Sequence, residues 1–82
     1  MIAKSQYKLE ARDLEIILAL VRTANLARAG ERLNVDASTI FRAIRRIERG
    51  LGHPLFERSR AGYLPSEQAQ VLAEHAEQVE TQ

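Results

Sequence analysis

The chain has no cysteine and no tryptophan, and only two prolines, four glycines, two phenylalanines and two tyrosines in 82 residues. Without a thiol there is no disulfide, no thiolate metal site and no cysteine nucleophile. The two histidines stand apart at positions 53 and 75, so a metal site would need other ligands, and neither a metal nor a cofactor is expected. Long apolar runs are missing too. The run over 16–21 falls far short of the roughly 20 residues of a membrane span. Lys4, Lys8, Glu10, Arg12, Asp13 and Glu15 interrupt any signal-peptide core, and the expected location is the cytoplasm. What remains is one small domain, 45% hydrophobic and 28% charged, with no low-complexity segment. That is the composition of a globular domain, and a domain this small is no large enzyme.

The net charge of +1 hides a segregation. Residues 37–60 carry six arginines against Glu48 and Glu57, a local +4, whereas 61–82 hold four glutamates and no basic residue. Ten of the twelve basic residues are arginine, whose planar fork suits bidentate contact with phosphate or guanine.

Residues 1–12 show little apolar periodicity and read as a leader, with Tyr7 and Leu9 able to dock on the body. Asp13 is placed as the N-cap of a first helix over 14–24, where Leu14, Ile17, Leu18 and Val21 share one face. Asn25 opens a short second helix whose apolar face is Leu26, Ala29 and Leu33. Gly30 within it lowers helix propensity by about 1 kcal/mol, which points to a neighbouring element packed against it. Asn34-Val35-Asp36 breaks the chain, with Asp36 or Ser38 as the next cap. The third helix, about 37–51, buries Ile40, Ile44, Ile47 and Leu51 and stops at Gly52 before Pro54. Its opposite face carries Ser38, Arg42, Arg45 and Arg49, flanked by Thr39, Phe41 and Arg46.

Residues 55–65 read as two short strands around a Ser59-Arg60-Ala61-Gly62 tip, with Phe56 and Tyr63 as cross-strand candidates. Ser66 caps a last helix whose seam is Ala69, Leu72, Ala76 and Val79. Such a thin seam cannot hold a lone helix in water, so it needs a partner surface. That surface is either this domain's own body or a second copy of the chain, and the second copy is favoured because the first three helices already have enough apolar faces to close on themselves.

The architecture expected is therefore mainly α: a winged helix-turn-helix of three helices and a two-stranded wing over 13–65, followed by a linker (dimerisation) helix over 66–82. The major groove of B-DNA admits one such helix, and arginines on its outward face can pair with guanine or neutralise phosphates. Phe41 either touches a thymine methyl or tucks back over the wing. Arg60 at the tip can reach a phosphate or a narrow minor groove. The expected DNA-contacting set is Arg28, Asn34, Ala37, Ser38, Thr39, Phe41, Arg42, Arg45, Arg46 and Arg60.

Ala29-Gly30-Glu31-Arg32-Leu33-Asn34-Val35, then Arg45-Arg46-Ile47-Glu48 and Leu51-Gly52-His53-Pro54-Leu55-Phe56-Glu57-Arg58, resemble the N-terminal DNA-binding domain of LysR-type transcriptional regulators. The resemblance runs without gaps over about 14–79. It implies a bacterial regulator, not an enzyme, that dimerises through the linker helix and reads a dyad-symmetric promoter site. Any small-molecule effector would then act through a C-terminal domain absent from this chain, with Gln82 inside a truncated linker helix. Arg42 matches the family's DNA-contacting arginine. Where the family has Ser-Gln-Pro this chain has Asp36-Ala37-Ser38, and Phe41 replaces the serine before the arginine.

Plainer readings stand beside these. An arginine face is commonly just solvated, with Arg45 and Glu48 forming an exposed pair worth under about 1 kcal/mol. His53 reads as a turn residue on the surface and His75 as a linker-helix side chain near the seam. The glutamates of the last helix either keep it soluble or pair with Arg12 or Arg22 of another subunit. No serine or threonine has a nearby histidine and acid, so no catalytic residue is assigned. The rival function is a winged helix that holds a protein partner through Phe41 and the linker helix.

Overall fold

The computed structural model describes residues 7–80. Four helices and one hairpin follow in the order α1 (Ala11–Thr23), α2 (Leu26–Leu33), α3 (Ala37–Leu51), β1 (Phe56–Ser59), β2 (Gly62–Pro65) and α4 (Glu67–Glu80).

α1 starts earlier than its apolar pattern indicates. Glu10, not Asp13, is the N-cap, and the two form a capping box in which the Asp13 carboxylate accepts the Glu10 N–H at 3.1 Å. Asp13 is thus the third residue of the helix, and the ordered structure reaches into the expected leader: Tyr7 and Leu9 pack against the core. Residues 1–6 of that leader lie outside the described residues. At the other end Ala24 closes α1 in the left-handed region, φ 57°, donating to the Leu20 carbonyl at 2.8 Å.

Asn25 caps α2 as expected, its side chain accepting the Arg28 N–H at 2.9 Å. The turn into α3 is built from Asn34 at φ 63° and a 2.9 Å bond from the Val35 N–H to the Gly30 carbonyl. Gly30 is where α2 meets that turn. A Cβ there would run into the Val35 carbonyl oxygen, so the close approach anticipated from its mid-helix position exists. α3 then matches its sequence span, with Asp36 at the N-cap making no side-chain bond and Gly52 at φ 86° ending it.

The hairpin is antiparallel with Phe56 opposite Pro65 and Arg58 opposite Tyr63. Phe56 and Tyr63 are therefore diagonal neighbours rather than a directly opposed pair, because the two-residue tip Arg60-Ala61 places Pro65, two residues beyond Tyr63, opposite Phe56. Three hydrogen bonds fix the wing to the body. The Tyr63 N–H donates to the Ala24 carbonyl at 2.9 Å, and one Glu48 oxygen accepts the N–H groups of Leu55 and Phe56 at 2.8 and 3.2 Å.

The main core joins α1, α2, α3 and the hairpin base, with Ile17, Leu20, Ile40, Ile47 and Leu55 fully buried. Each such side chain contributes about 1.5–3 kcal/mol of transfer free energy. α4 packs along α1 in the same chain, which corrects the expectation for its seam. Ala69 is fully buried in the main core, Leu72 is packed against it, and Ala76 is buried with Ala73 beside Leu18, Leu14 and Val21. The physical reason is in the first helix: Leu14, Leu18 and Val21 leave a second apolar edge on α1 that α2 and α3 do not cover. Of the four seam residues Ala69 and Ala76 are buried, Leu72 is half-buried, and Val79 is 59% exposed. Arg22 is likewise bonded within the chain, its guanidinium 3.1 Å from Glu77 of α4, and Arg12 pairs at 3.0 Å with Glu15.

Candidate nucleic-acid interface

α3 presents Ser38, Arg42, Arg45 and Arg49 on its exposed side, since these positions fall within one third of a turn at 100° per residue. Arg42 and Arg49 make no ion pair among the described residues, nor do Arg28 and Arg60, so their donors face water. Arg45 has no carboxylate partner either. Glu48, the expected candidate, is turned away to hold the entry of the wing. The Arg45 guanidinium instead lies over the Phe41 ring, 5.6 Å from its centroid.

Arg46 departs from the sequence reading. Its two terminal nitrogens donate to the Tyr7 hydroxyl at 2.7 Å and to the buried Asp13 carboxylate at 3.3 Å. Burial alone would lower the Arg46 pKa, yet the bond to Asp13 and the charges of Asp13 and Tyr7 outweigh it and raise it above the ordinary arginine value. A guanidinium so bonded braces α3 against α1 and the N-terminal segment, while about half of the Arg46 side chain, 52%, stays exposed. Its position on α3, rotated some 40° from Arg42 toward α1, explains the difference.

The remaining expected residues fall as follows. Arg28 is exposed on the first turn of α2, Asn34 is exposed but serves as the left-handed C-cap of α2, and Ala37 and Thr39 are half-buried at the start of α3. Arg60 is exposed at the tip of the wing. A cleft of about 460 Å³ separates α3 from the wing, walled by Phe41, Arg45, Phe56, Arg58 and Tyr63. Arg58, absent from the sequence-based set, lies over the Tyr63 ring at 5.5 Å. The strand alternation that opposes it to Tyr63 was its available signal. No group of acids and histidines that could hold a metal ion exists among the described residues, and none of their helices is long and apolar enough to cross a membrane.

A helix-turn-helix whose second helix exposes a row of arginines, with a two-stranded hairpin beside it, is a winged helix-turn-helix domain of the DNA-binding kind. Residues 11–70 match the family model of bacterial regulatory helix-turn-helix proteins, lysR family, and the chain belongs to that family. It is 41% identical over 59 residues to the small neutral protease regulatory protein of Streptomyces coelicolor, covering 72% of this chain and 18% of that protein. It is 35% identical over 69 residues to the transcriptional regulator AdmX of Serratia plymuthica, covering 84% of this chain and 23% of that one. The chain thus spans less than a quarter of the length of these curated relatives. Among solved structures, the DNA-binding domain of CbnR in complex with DNA superposes with a TM-score of 0.75 at 31% identity, over 85% of this chain and 80% of that one. The DNA-binding domain of BenM with its benA site shares the fold at a TM-score of 0.77 and 22% identity, over 88% of this chain and 81% of that one.

Proposed function

We propose that this domain binds double-stranded DNA sequence-specifically as the reading head of a bacterial LysR-type transcription regulator, with α3 in the major groove and the wing beside the minor groove or its phosphates. In this assignment Arg42 and Arg45 read base edges, with Ala37, Ser38 and Thr39 lining the entry of the helix. Arg49, Arg28 and Arg60 neutralise phosphates, Arg28 from the helix that crosses the backbone. The observation that carries the proposal is the row of arginines without acidic partners along the exposed side of α3. So many cations held together in water gain little for the fold, but they release counterions when phosphates replace water.

The same reading calls for a homodimer on a dyad-symmetric site. Ala11, Leu14, Leu18, Ala76 and Val79, together with Glu15, line a mostly apolar groove of about 120 Å³ between α1 and α4. A second copy laid across this groove would cover Val79, so dimerisation uses the outer edge of the α1–α4 pair rather than the buried seam. A small-molecule effector belongs, in this reading, to a separate C-terminal domain. Nothing in the arrangement favours the protein-holding alternative, since most of the α4 seam is occupied by the chain's own α1 and the arginine row faces outward.

The test is a gel-shift titration with promoter fragments at fixed salt. Arg42→Ala is expected to lose most specific affinity, at about 1–3 kcal/mol for one bidentate base contact. Equal affinity of the variant and the parent chain for every fragment would remove Arg42 from the interface.

A further inference from the structure

Phe41 is the one aromatic among the exposed large hydrophobic residues described, at 41% exposure, and it sits on the outward side of the helix assigned to the major groove. An aromatic ring left in water on a cationic helix is unfavourable for the free chain, and solvent gives it nothing in return. It is not isolated, however. Side chains lean toward the helix N-terminus, so Arg45, one turn later, reaches back until its guanidinium lies 5.6 Å from the Phe41 centroid. No hydrogen-bond partner or carboxylate within the described residues takes up the Arg45 N–H donors. The pair therefore presents, side by side, a fork of donors and an apolar ring. Neighbouring bases stack about 3.4 Å apart, so two groups 5.6 Å apart can reach adjacent bases.

We infer that Phe41 and Arg45 form a composite reader for a thymine adjacent to a guanine: the Arg45 fork takes guanine O6 and N7 while the Phe41 ring packs on the thymine C5 methyl. In the major groove the O6/N7 acceptor pair belongs to guanine and the methyl to thymine, so the two chemistries identify this step. The cation–π contact does the positioning. It limits the rotamers of a long side chain before binding and aims the fork at the base beside the one the ring touches. The inference rests on the DNA-binding reading above and assigns the specificity of two positions within it.

The experiment is selection of duplexes from a randomised pool by the full 82-residue chain, followed by titration of the selected duplex. A thymine–guanine neighbour is expected in the selected half-site. Replacing that thymine by deoxyuridine removes only the methyl and is expected to weaken binding about fourfold, the worth of one buried methyl-sized group. Phe41→Ala is expected to bind thymine and uracil duplexes equally, and Phe41→Leu to keep part of the difference. Arg45→Ala is expected to lose discrimination at the guanine by about tenfold or more. Because Phe41 is exposed, its variants should melt close to the parent, and circular dichroism separates a lost contact from a lost fold. Strong selection with no uracil effect at any thymine, or a Phe41→Ala loss that is uniform across sequences, overturns the composite reader while leaving DNA binding intact. Absence of any duplex binding at low salt overturns the DNA-binding reading itself, and this inference with it.

Discussion

Replacing Gly30 by alanine perturbs the joint that sets α3 relative to α2. The new Cβ would run into the Val35 carbonyl oxygen and lie 3.3 Å from the Asp36 carbonyl carbon and 3.4 Å from the Ala37 nitrogen. All three are backbone atoms of the turn, so relief requires the turn to move; no side chain can rotate out of the way. Overpacking of this kind costs about 1–3 kcal/mol. Displacing the turn also strains the 2.9 Å bond from the Val35 N–H to the Gly30 carbonyl, worth about 1 kcal/mol. Alanine's better helix propensity returns about 1 kcal/mol. The net expectation is a loss of about 1–3 kcal/mol, and at about 4–8 °C per kcal/mol for a domain of this size the melting midpoint should fall by about 10 °C. Gly50 supplies the contrast. A Cβ there would run into the ring of Tyr7, a side chain near the N-terminus that can move at the cost of its bond to Arg46, which alanine's better helix propensity offsets, so Gly50→Ala should shift the midpoint by about 4 °C or less. Thermal unfolding followed by circular dichroism measures both. A Gly30→Ala chain that melts at or above the parent temperature would refute the claim that backbone contact at this glycine fixes the helix-turn-helix.

Further expectations concern the wing, α4 and the interface. Glu48→Ala removes the acceptor of two backbone N–H groups and should destabilise the domain by about 2 kcal/mol in denaturant titration, with the loss centred on the wing. Glu77→Gln should cost under about 1 kcal/mol and less at high salt, because the Arg22 pair is largely exposed. Val79→Arg should leave the melting temperature nearly unchanged while shifting the mass seen by light scattering from dimer to monomer. An unchanged dimer would place the contact elsewhere. Arg60→Ala should reduce the slope of log affinity against log salt by about one phosphate-equivalent, and an unaltered slope would take Arg60 off the DNA.

Much of this fold is legible in the sequence because each element carries its own local signal. α3 could be bounded to within about two residues from the Asp36 break, the isoleucine stripe and Gly52, and the glycine in α2 announced the close approach that the structure contains. The start of α1 was missed because Glu10 and Asp13 cap reciprocally, and an acid three residues inside a helix looks like a cap when only the apolar period is followed. The α4 seam was legible as a seam but not as an intramolecular one. Its partner face on α1 lies more than 50 residues away, and nothing local says which surface closes on it. At the interface the arginine face of α3 could be read from helical periodicity. That Arg46 is bound by Asp13 and Tyr7, and that Arg45 pairs with Phe41 rather than Glu48, depends on tertiary geometry. The distinction between an arginine that braces and an arginine that is free is a property of the packed molecule, not of the stripe.

The central claim, that the arginine face of α3 is a DNA surface, is tested most directly by fluorescence anisotropy of the chain with labelled duplexes over about 50–200 mM salt. The account predicts binding whose affinity falls steeply with salt, with Arg42→Ala and Arg45→Ala each weakening binding to the preferred duplex, Arg49→Ala reducing the salt slope by about one phosphate-equivalent, and Arg46→Ala mainly lowering the melting temperature. A well-folded chain that shows no duplex affinity at 50 mM salt, or an affinity indifferent to Arg42 and Arg45, would contradict it.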